Sequence, residues 1–330
     1  MKAAVFSFHK FEKPFLEKAN QSRHELVYID TRLNLSSSAF AAGCKAVCLF
    51  VNDDASEKVL QSLNESGIKF VALRSAGFNN VNLKKAKELG MRVARVPAYS
   101  PYAVAEHTVA LMLALNRKLM RAHNRIAEGN FSLDGLTGFD MNGKTAGIIG
   151  TGKIGSLVAK ILSGFGCNLI GYDQYPNDEL VTKYGLQYTD FKTVCKNSDI
   201  LTLHTPLNDE TKYLINRNSI ELMKAGVMLI NTSRGGLVNT RDVIDALKSG
   251  YIGYFGIDVY EEEEGLFFED HSEDILKDDV IARLMTFRNV LITSHQAFLT
   301  QTALQNIADT TIYNLDCFEK NVECKSEIVN

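Results

Sequence analysis

The fold is decided by residues 145–173, TAGIIGTGKIGSLVAKILSGFGCNLIGYD. This stretch begins with a short apolar run, turns through Gly150, Gly152 and Gly155, and continues with apolar residues at helical spacing. A second apolar run follows and ends at Asp173. Strand, glycine turn, helix, strand and acid in this order form the setting in which the spacing G-x-G-x-x-G predicts dinucleotide binding. The alternative is a glycine-rich turn in an ordinary βαβ unit.

Each residue of this fingerprint has a physical reason. Gly150 allows the tight turn, Gly152 lets a pyrophosphate approach the backbone, and Gly155 lets the helix pack close to the strand. The N-terminus of the helix offers N–H groups and a partial positive charge to the phosphates. Asp173 is placed to accept hydrogen bonds from both ribose hydroxyls and to repel a 2′-phosphate. The stretch therefore predicts NAD, rather than NADP, as the cofactor.

Length and composition limit the classes of protein. The chain has 330 residues, enough for about two domains. It is 45% hydrophobic and 23% charged, with a formal net charge of -3, as in soluble globular proteins. Because there is no basic excess to meet phosphates, neither nucleic acid nor a membrane is expected as a partner.

The cysteines and the N-terminus indicate the compartment. Six cysteines are scattered without a C-x-x-C pair, so we expect neither a metal site nor a disulfide framework. The N-terminal residues lack the sustained apolar region and the cleavage site of a signal peptide. The longest helical apolar stretch, 103–115, is shorter than the roughly 20 residues that a bilayer requires. We therefore expect a cytoplasmic protein.

Residues 2–95 alternate between short apolar runs and segments of helical pattern. The alternation predicts a parallel sheet with helices on its faces. No glycine fingerprint occurs in this half, so it is expected not to bind a dinucleotide. The predicted strands are 2–8, 24–30, 45–51, 69–73 and 92–96, and the predicted helices are 12–20, 56–66 and 83–89.

The same rhythm resumes after the glycine fingerprint. We therefore predict an α/β fold of two Rossmann-like, doubly wound parallel-sheet domains separated by a cleft. The NAD-binding domain is expected to span 101–296. The substrate domain is expected to be discontinuous, 1–100 plus 297–330, with the tail packed back on the first half. Beyond the fingerprint, the predicted strands are 199–203, 227–231, 254–258 and 289–293, and the predicted helices are 190–196, 219–224, 240–249 and 296–314.

A single long helix is predicted from Pro101 to about residue 128. Ser100 is suited to cap it, and proline fits the first helical position. At about 1.5 Å per residue the helix would be about 40 Å long. Its first half is apolar almost all round, so it should be buried on several sides. We expect it to lie between domains or between subunits of a homo-oligomer, with Glu106 and His107 as polar interface residues rather than catalytic groups.

Three ionisable side chains follow predicted strands of the second half: Arg234, Glu263 and His295. In an open α/β sheet the carboxyl ends of the strands face one crevice, where ligands bind. Taken singly, each residue has a plainer explanation. The arginine could form a surface ion pair, the acidic run 261–264 could be a solvated face, and the histidine could be a capping residue.

Together the three match the needs of 2-oxo acid reduction. A guanidinium holds a carboxylate and polarises a carbonyl through paired hydrogen bonds. An imidazole exchanges a proton near neutral pH, and a carboxylate partner stabilises its charged form. A bound cofactor supplies the hydride, so the protein has only to place and polarise the substrate.

A possible anion site occurs in the first half. The segment RSAGFNN, 74–80, directly follows a predicted strand. Its small residues Ala76 and Gly77 leave backbone N–H groups accessible where open α/β sheets bind ligands. The functional interpretation is a nest of amides for a substrate carboxylate. The alternative is a plain βα turn, which these residues by themselves favour.

These motifs resemble those of the D-2-hydroxyacid dehydrogenases, and within that family the branch of NAD-dependent fermentative D-lactate dehydrogenases. The resemblance covers nearly the whole chain, and the last two motifs given below are specific to that branch. The segment after Glu263 is an insertion that the wider family usually lacks. The motifs are FVNDD (50–54), GFNN (77–80), VPAY (96–99), LTGF (136–139), GTGKIG (150–155), NTSRG (231–235), DVYE (258–261), GLFFED (265–270) and HQAF (295–298).

The resemblance implies roles for the three ionisable residues. Arg234 would orient the substrate, Glu263 would partner the histidine, and His295 would donate the proton. The wider family often has proline after the catalytic glutamate, where this chain has Glu264. The acidic run therefore leaves an ambiguity of one residue, and the offset from Asp258 favours Glu263.

The resemblance also implies binding residues. The amides of Ala76 and Gly77, with the hydroxyl of Tyr99, would hold the substrate carboxylate. Phe298 would help to close a small pocket around a methyl group. The positions that the family uses for NAD, besides the three glycines, fall here on Lys153, Ile154, Asp173, Thr205, Pro206, Thr211, Thr232, Ser233 and Asp258.

The activity implied by the resemblance is NADH-dependent reduction of pyruvate to D-lactate in a homodimer or homotetramer, with a small 2-oxo or 2-hydroxy acid as partner. One alternative is a sister enzyme for a bulkier 2-oxo acid, such as phenylpyruvate or 2-oxoisocaproate. Another is a non-enzymatic, NAD-sensing co-repressor of the same fold. The complete set of arginine, glutamate and histidine speaks against the co-repressor.

Overall fold

The computed structural model of the chain describes residues 1–328. The chain divides into two compact units, one formed by Met1–Ser100 with Leu299–Asn330 and the other by Pro101–Phe298. We name them the five-stranded unit and the seven-stranded unit after their sheets. All pairings between neighbouring strands of these sheets are parallel. The prediction of two parallel-sheet α/β domains is confirmed.

The five-stranded unit is a sheet with helices packed on it. Its strands are β1 (Lys2–Val5), β2 (Glu25–Tyr28), β3 (Ala46–Leu49), β4 (Phe70–Leu73) and β5 (Arg92–Ala94). Its helices are α1 (Lys13–Asn20), α2 (Glu57–Glu65), α3 (Leu83–Glu88) and, from the end of the chain, α12 (Gln301–Glu319). The spatial order β2-β1-β3-β4-β5 is that of a doubly wound sheet of the flavodoxin type.

The seven-stranded unit has the Rossmann strand order, β12-β11-β10-β9-β6-β7-β8, with labels given in chain order. Its strands are β6 (Thr145–Ile149), β7 (Asn168–Tyr172), β8 (Gln187–Tyr188), β9 (Ile200–Leu203), β10 (Val227–Asn231), β11 (Ile252–Ile257) and β12 (Val290–Ile292). Its helices are α4 (Pro101–Asn116), α5 (Leu119–Ala127), α6 (Lys153–Gly164), α7 (Asp178–Tyr184), α8 (Phe191–Asn197), α9 (Arg217–Ile220), α10 (Thr240–Lys248) and α11 (Asp279–Met285).

The central strands of the seven-stranded unit are buried on both faces. All residues of β9 and β10 are buried, because helices cover the sheet on either side. Helix α6 contributes Val158, Ala159 and Leu162, all 0% exposed, to this core. The continuous apolar runs read from the sequence are therefore those of a two-sided parallel sheet.

The prediction of one helix from 101 to 128 was wrong. The helix ends at Asn116, and a second helix begins after Lys118, whose φ of +51° is left-handed. The side chain of Asn116 exchanges hydrogen bonds with the backbone of Phe139, at 2.7 Å and 2.8 Å. Gly138 packs so closely that a Cβ there would lie 2.6 Å from the carbonyl oxygen of Asn116. Contacts distant in sequence thus end the helix.

Several short elements went unpredicted, and two helices were misplaced. Helix α12 begins at Gln301, after its cap Thr300, and ends at Glu319, whereas 296–314 was predicted. The two-residue strand β8 and the seven-residue helices α7 and α11 are too short for their apolar residues to show a clear period. Helix α9 begins earlier than the predicted 219–224, because Asn216 and Ser219 form a capping box at its start. Among the residues that the structure describes, no helix has both the length and the apolar character of a membrane span.

Candidate active site

Three neighbouring strands lead to the ionisable residues identified from the sequence. Arg234 follows β10, Glu263 follows β11 and His295 follows β12. These strands are adjacent and parallel, so their carboxyl ends lie at one edge of the sheet. The structure therefore places the three residues along the same edge of the seven-stranded unit.

Glu263 and His295 are in direct contact. Nδ1 of the imidazole lies 2.9 Å from Oε1 of the carboxylate, and the two side chains are only 18% and 19% exposed. The other carboxylate oxygen of Glu263 accepts a hydrogen bond from the backbone N–H of Tyr260 at 3.2 Å. Another acid of the same run, Glu261, accepts from the backbone N–H of Thr240 instead, at 3.1 Å. Glu263 is thus the acid of the run that holds the imidazole.

The backbone turn that presents His295 is held by the buried carboxylate of Asp258. Oδ1 accepts from the hydroxyl of Thr293 at 2.6 Å and from Gln296 N–H at 2.8 Å. Oδ2 accepts from Ala297 N–H at 2.9 Å. His295 has a left-handed φ of +49° and donates its N–H to the carbonyl of Asp258 at 2.7 Å. Residues other than glycine rarely adopt this conformation, and they keep it only where surrounding contacts hold the backbone in place, as these hydrogen bonds do.

His107 extends this network from helix α4. Its Nε2 lies 3.0 Å from the hydroxyl of Thr293 and 3.5 Å from Oδ1 of Asp258. Burial, the largest single influence, opposes ionisation of Asp258, but the hydrogen bonds from His107, Thr293 and Ala297 outweigh it and lower the pKa of this carboxyl. From the sequence we expected His107 at an interface, and Thr293 was not among the predicted site residues. The role of His107 could have been inferred from the sequence, because it is a polar residue that interrupts an apolar helix.

Arg234 lies beside the loop that follows β11. The residue is half-buried, and its guanidinium donates to the carbonyl of Ser233 at 2.7 Å. Its own carbonyl accepts from the side-chain amide of Asn231 at 2.9 Å. At the next residue, Gly235, a Cβ would lie 2.0 Å from the carbonyl carbon of Tyr260. This close packing fixes the loop of the arginine against the loop after β11.

The glycine turn after β6 has the geometry that the fingerprint predicts. Gly150 has a φ of +87°, and a Cβ there would lie 2.6 Å from the carbonyl oxygen of His204. A Cβ at Gly155 would lie 1.9 Å from the carbonyl oxygen of Gly150. At Gly152 a Cβ would meet no atom within 4 Å, which leaves open space where α6 begins with Lys153 and Ile154. A pyrophosphate fits this space beside the helix N-terminus.

Asp173 lies at the end of β7, beside this turn. Its Oδ2 accepts from the backbone N–H of Thr151 and, at 3.1 Å, from the hydroxyl of the same residue. Its Oδ1 accepts from the backbone N–H of Tyr175 at 2.8 Å. These donors hold the carboxylate next to the glycine turn, where a ribose of the dinucleotide is expected.

The other residues expected to bind NAD follow strands at the same edge of the sheet. The hydroxyl of Ser233 donates to the carbonyl of Thr205 at 2.7 Å, which joins the loops after β9 and β10. The hydroxyl of Thr211 donates to the carbonyl of Pro206 at 2.6 Å. Hydroxyls, amides and an acidic strand end around a glycine turn fit a dinucleotide. The residues at this edge are Thr205, Pro206, Thr211, Thr232, Ser233 and Asp258.

The residues expected to bind substrate belong to both units. Ala76 and Gly77 follow β4 in the five-stranded unit and are partly exposed. The carbonyl of Ala76 accepts from the guanidinium of Arg95 at 2.8 Å, which fixes the turn. Tyr99 also belongs to the five-stranded unit, whereas Phe298, 9% exposed, ends the seven-stranded unit.

The seven-stranded unit thus combines two functional features at one edge of its sheet. A glycine turn with an acidic strand end serves a dinucleotide. An imidazole paired with a carboxylate, with a guanidinium after a neighbouring strand, is an arrangement suited to proton transfer to a polarised oxygen. This combination defines a nicotinamide-dependent oxidoreductase.

Comparison with known proteins identifies the family. Residues 109–297 match the family described as D-isomer specific 2-hydroxyacid dehydrogenase, NAD binding domain. The chain is 50% identical over 330 residues to the D-lactate dehydrogenase of Escherichia coli (strain K12), with 100% of both proteins covered. The chain belongs to the D-isomer specific 2-hydroxyacid dehydrogenase family, and its cofactor is NAD.

Solved structures agree with this assignment. The apo-structure of D-lactate dehydrogenase from Escherichia coli has a TM-score of 0.91 to this chain at 48% identity, covering 100% of both chains. The pyruvate reductase of Chlamydomonas reinhardtii has a TM-score of 0.93 at 43% identity, covering 98% of both chains. The chain therefore shares its fold with both proteins.

Proposed function

We propose that the protein reduces pyruvate to D-lactate with NADH and catalyses the reverse oxidation. The observation that carries the proposal is the contact of 2.9 Å between Nδ1 of His295 and Oε1 of Glu263, at the sheet edge that serves NAD. The choice of pyruvate and of the D product is supported by the names of the similar proteins, a D-lactate dehydrogenase at 50% identity and a pyruvate reductase at 43% identity.

His295 is the proposed proton donor. Because Nδ1 faces Glu263, Nε2 is the ring nitrogen left to deliver a proton to the carbonyl oxygen of the substrate. The carboxylate of Glu263 stabilises the imidazolium that precedes this transfer and fixes the orientation of the ring. When bound, NADH supplies the hydride that adds to the carbonyl carbon. The proton on oxygen and the hydride on carbon complete the alcohol.

The other residues of the proposed site bind and orient the substrate. Arg234 carries a guanidinium, which suits a 2-oxo acid because paired N–H donors match its carboxylate and carbonyl oxygens. The amides of Ala76 and Gly77, with the hydroxyl of Tyr99, also bind the carboxylate. Phe298 closes the space beside the methyl group and so favours small side chains.

A panel of substrates tests the proposal. The oxidation of NADH is followed with pyruvate, phenylpyruvate and 2-oxoisocaproate, and the reduction of NAD is followed with D-lactate and L-lactate. We expect the highest kcat/KM with pyruvate and turnover of D-lactate alone. A preference for a bulkier acid would identify the sister enzyme, and turnover of L-lactate would overturn the stereochemistry. NADH binding without turnover of any acid would favour the co-repressor.

We also propose that the protein is a homodimer or homotetramer. Helix α5 has no buried residue, and its Leu119, Met120 and Ile126 are 49%, 55% and 56% exposed. In the segment that follows, Phe131 and Leu133 are 75% and 81% exposed. Apolar side chains clustered on a surface mark an interaction site. A second copy that presents the same surface would bury both sets of side chains.

The proposed location is the cytoplasm. All six cysteines are free thiols. Proteins of reducing compartments keep their thiols in this form, whereas secreted proteins commonly form disulfides. The proposed reaction also needs NADH, a cofactor of intracellular metabolism.

A further inference from the structure

The segment after Glu263 folds into a compact turn. The backbone N–H groups of Leu266 and Phe267 both donate to the carbonyl of Glu263, at 3.1 Å and 3.0 Å. Phe267 is only 6% exposed and packs into the core of the seven-stranded unit, so it anchors the turn. Glu263 begins this turn and Phe268 ends it. The position of either residue is therefore coupled to that of the other.

Phe268 contacts the imidazole that Glu263 also holds. The ring centroids of Phe268 and His295 lie 5.9 Å apart with an interplanar angle of 35°. This separation is within the range of favourable aromatic pairs. The backbone N–H of Phe268 also points to the hydroxyl of Ser294, at 3.5 Å, just before the histidine. One turn thus supplies a carboxylate to one ring nitrogen and an aromatic ring to the side of the same imidazole.

The backbone of Phe268 is in an unfavourable conformation. Its φ of +69° is left-handed, a region that bulky side chains rarely adopt. His295, against which it packs, also has a left-handed φ, of +49°. Non-glycine residues in this conformation persist where surrounding contacts hold them, and they concentrate at functional sites. Contacts around Phe268 therefore hold its aromatic side chain at a backbone conformation that such a residue disfavours.

We propose that Phe268 is a positioning residue for His295. Its ring holds the imidazole in the plane that keeps Nδ1 on Glu263 and directs Nε2 to the substrate, and it limits the access of water to the histidine–glutamate pair. This inference rests on the proposed role of His295 as proton donor. It gives the insertion after Glu263 a function in the reaction itself.

Three variants at one position separate positioning from packing. Phe268→Gly removes the ring and at the same time relieves the left-handed backbone. Phe268→Leu keeps apolar volume without an aromatic ring, and Phe268→Tyr keeps the ring. The matched control is Ile275→Ala, which deletes an apolar side chain that is 89% exposed in the same insertion.

We expect Phe268→Gly to lower kcat about tenfold, because a displaced donor transfers its proton less often in the reactive geometry. The KM for NADH should stay unchanged. The kinetic isotope effect with NADH deuterated at nicotinamide C4 should rise, since chemistry becomes more rate-limiting. Phe268→Leu should lose most of the same activity, while Phe268→Tyr and Ile275→Ala should keep wild-type values.

The proposal is overturned if Phe268→Gly keeps the wild-type kcat and isotope effect. It is also overturned if kcat falls only in proportion to a loss of folded protein, measured by thermal unfolding. A loss in Phe268→Tyr as large as in Phe268→Gly would count against it in the same way, because the ring would then be irrelevant.

A measurement that does not depend on activity tests the contact itself. The ring signals of His295 are assigned in NMR spectra by their loss in His295→Gln and are then compared between wild type and Phe268→Gly. We expect these signals to shift, because an aromatic ring at 5.9 Å perturbs its neighbours. Unchanged signals would overturn the proposal. Shifted signals support the contact even if pyruvate proves not to be the substrate. Failure of the proposed function can therefore be distinguished from failure of the proposal for Phe268.

Discussion

At the level of single residues, we propose that Asp173 sets the preference for NAD over NADP. Its carboxylate is held beside the glycine turn by the N–H groups of Thr151 and Tyr175. We expect Asp173→Ala to narrow the preference for NADH over NADPH, because the variant no longer repels a 2′-phosphate. The measurement is the ratio of kcat/KM values for the two cofactors. Asp178→Ala, which removes an exposed acid a few residues away, is the control, and an unchanged ratio in Asp173→Ala would refute the ribose role.

His204 should make stability depend on pH. Burial lowers the pKa of its imidazole to about 3, and its Nε2 lies 2.9 Å from the hydroxyl of Thr202. Below the ordinary histidine pKa of about 6.5 the unfolded chain takes up a proton that the folded chain refuses. The free energy of unfolding should therefore fall as the pH falls from about 6.5 towards 3.

Urea unfolding between pH 7 and pH 5 tests this expectation. We expect the free energy of unfolding to fall less over this range in His204→Gln than in the wild type. The difference in slope against pH should correspond to at most about one proton taken up on unfolding. His123→Gln, at an exposed position of α5, is the matched control and should keep the wild-type slope. Equal slopes in all three proteins would contradict a neutral imidazole at His204 in the folded chain.

Some site residues could be predicted from the sequence, and others could not. Arg234, Glu263 and His295 could be found because each follows a strand, and parallel strands bring their ends together. The support of His295 by Asp258 could not be found, because half of its partners are backbone N–H groups that leave no trace in residue type. The contact of Phe268 with His295 likewise depends on the path of the turn after β11.

At the level of elements, helix α6 contains two glycines with opposite requirements. A Cβ at Gly155 would lie 1.9 Å from a backbone carbonyl oxygen, whereas one at Gly164 would meet no atom within 4 Å. We expect Gly155→Ala to lower the free energy of unfolding by about 1–3 kcal/mol through overpacking. Gly164→Ala should raise it by about 0.4–1 kcal/mol, because the unfolded chain loses freedom.

Chemical denaturation of the two alanine variants checks both signs at once. The pair is matched because the same substitution is made in the same helix. A neutral effect of Gly155→Ala would contradict the close approach of α6 to the turn after β6. NADH binding should also weaken in that variant, since the turn has to move to admit the methyl group.

The elements were predictable wherever burial sets the pattern. Strands such as β9 and β10 are buried on both faces, so continuous apolar runs located them. The break between α4 and α5 was not predictable, because it depends on Asn116 bonding the backbone of Phe139, a contact distant in sequence. The helical pattern of the sequence continues past residue 118, and only tertiary contacts end the helix at Asn116.

At the level of the whole molecule, the exposed apolar surface around α5 predicts self-association. We expect Leu133→Glu, at a position 81% exposed, to reduce the sedimentation mass of the protein, because a charge would have to be buried between copies. Ile275→Glu, at a position 89% exposed outside this surface, is the control. A wild-type protein that sediments as a monomer, or a Leu133→Glu variant with the wild-type mass, would contradict the proposed oligomer.

The parallel-sheet architecture of both units could be predicted from the alternation of strand and helix patterns in the sequence, and the structure adds the order of the strands. Alternating strand and helix patterns imply parallel sheets. The glycine fingerprint marks β6 as the first strand of a Rossmann order, in which β7 and β9 flank it. The substrate follows from neither the rhythm nor the strand order, since the same fold serves many chemistries. It rests on a few side chains and on similarity to proteins of named activity.

The role of His295 as proton donor is tested most directly by the His295→Gln variant. With pyruvate and NADH, we expect its kcat to fall by about 10²–10⁴-fold, the usual contribution of a general acid. The Kd for NADH, measured by fluorescence, should change little, because the imidazole serves the substrate rather than the dinucleotide. Turnover near the wild-type rate, or an equal loss of turnover and NADH binding, would contradict the role of His295 as proton donor.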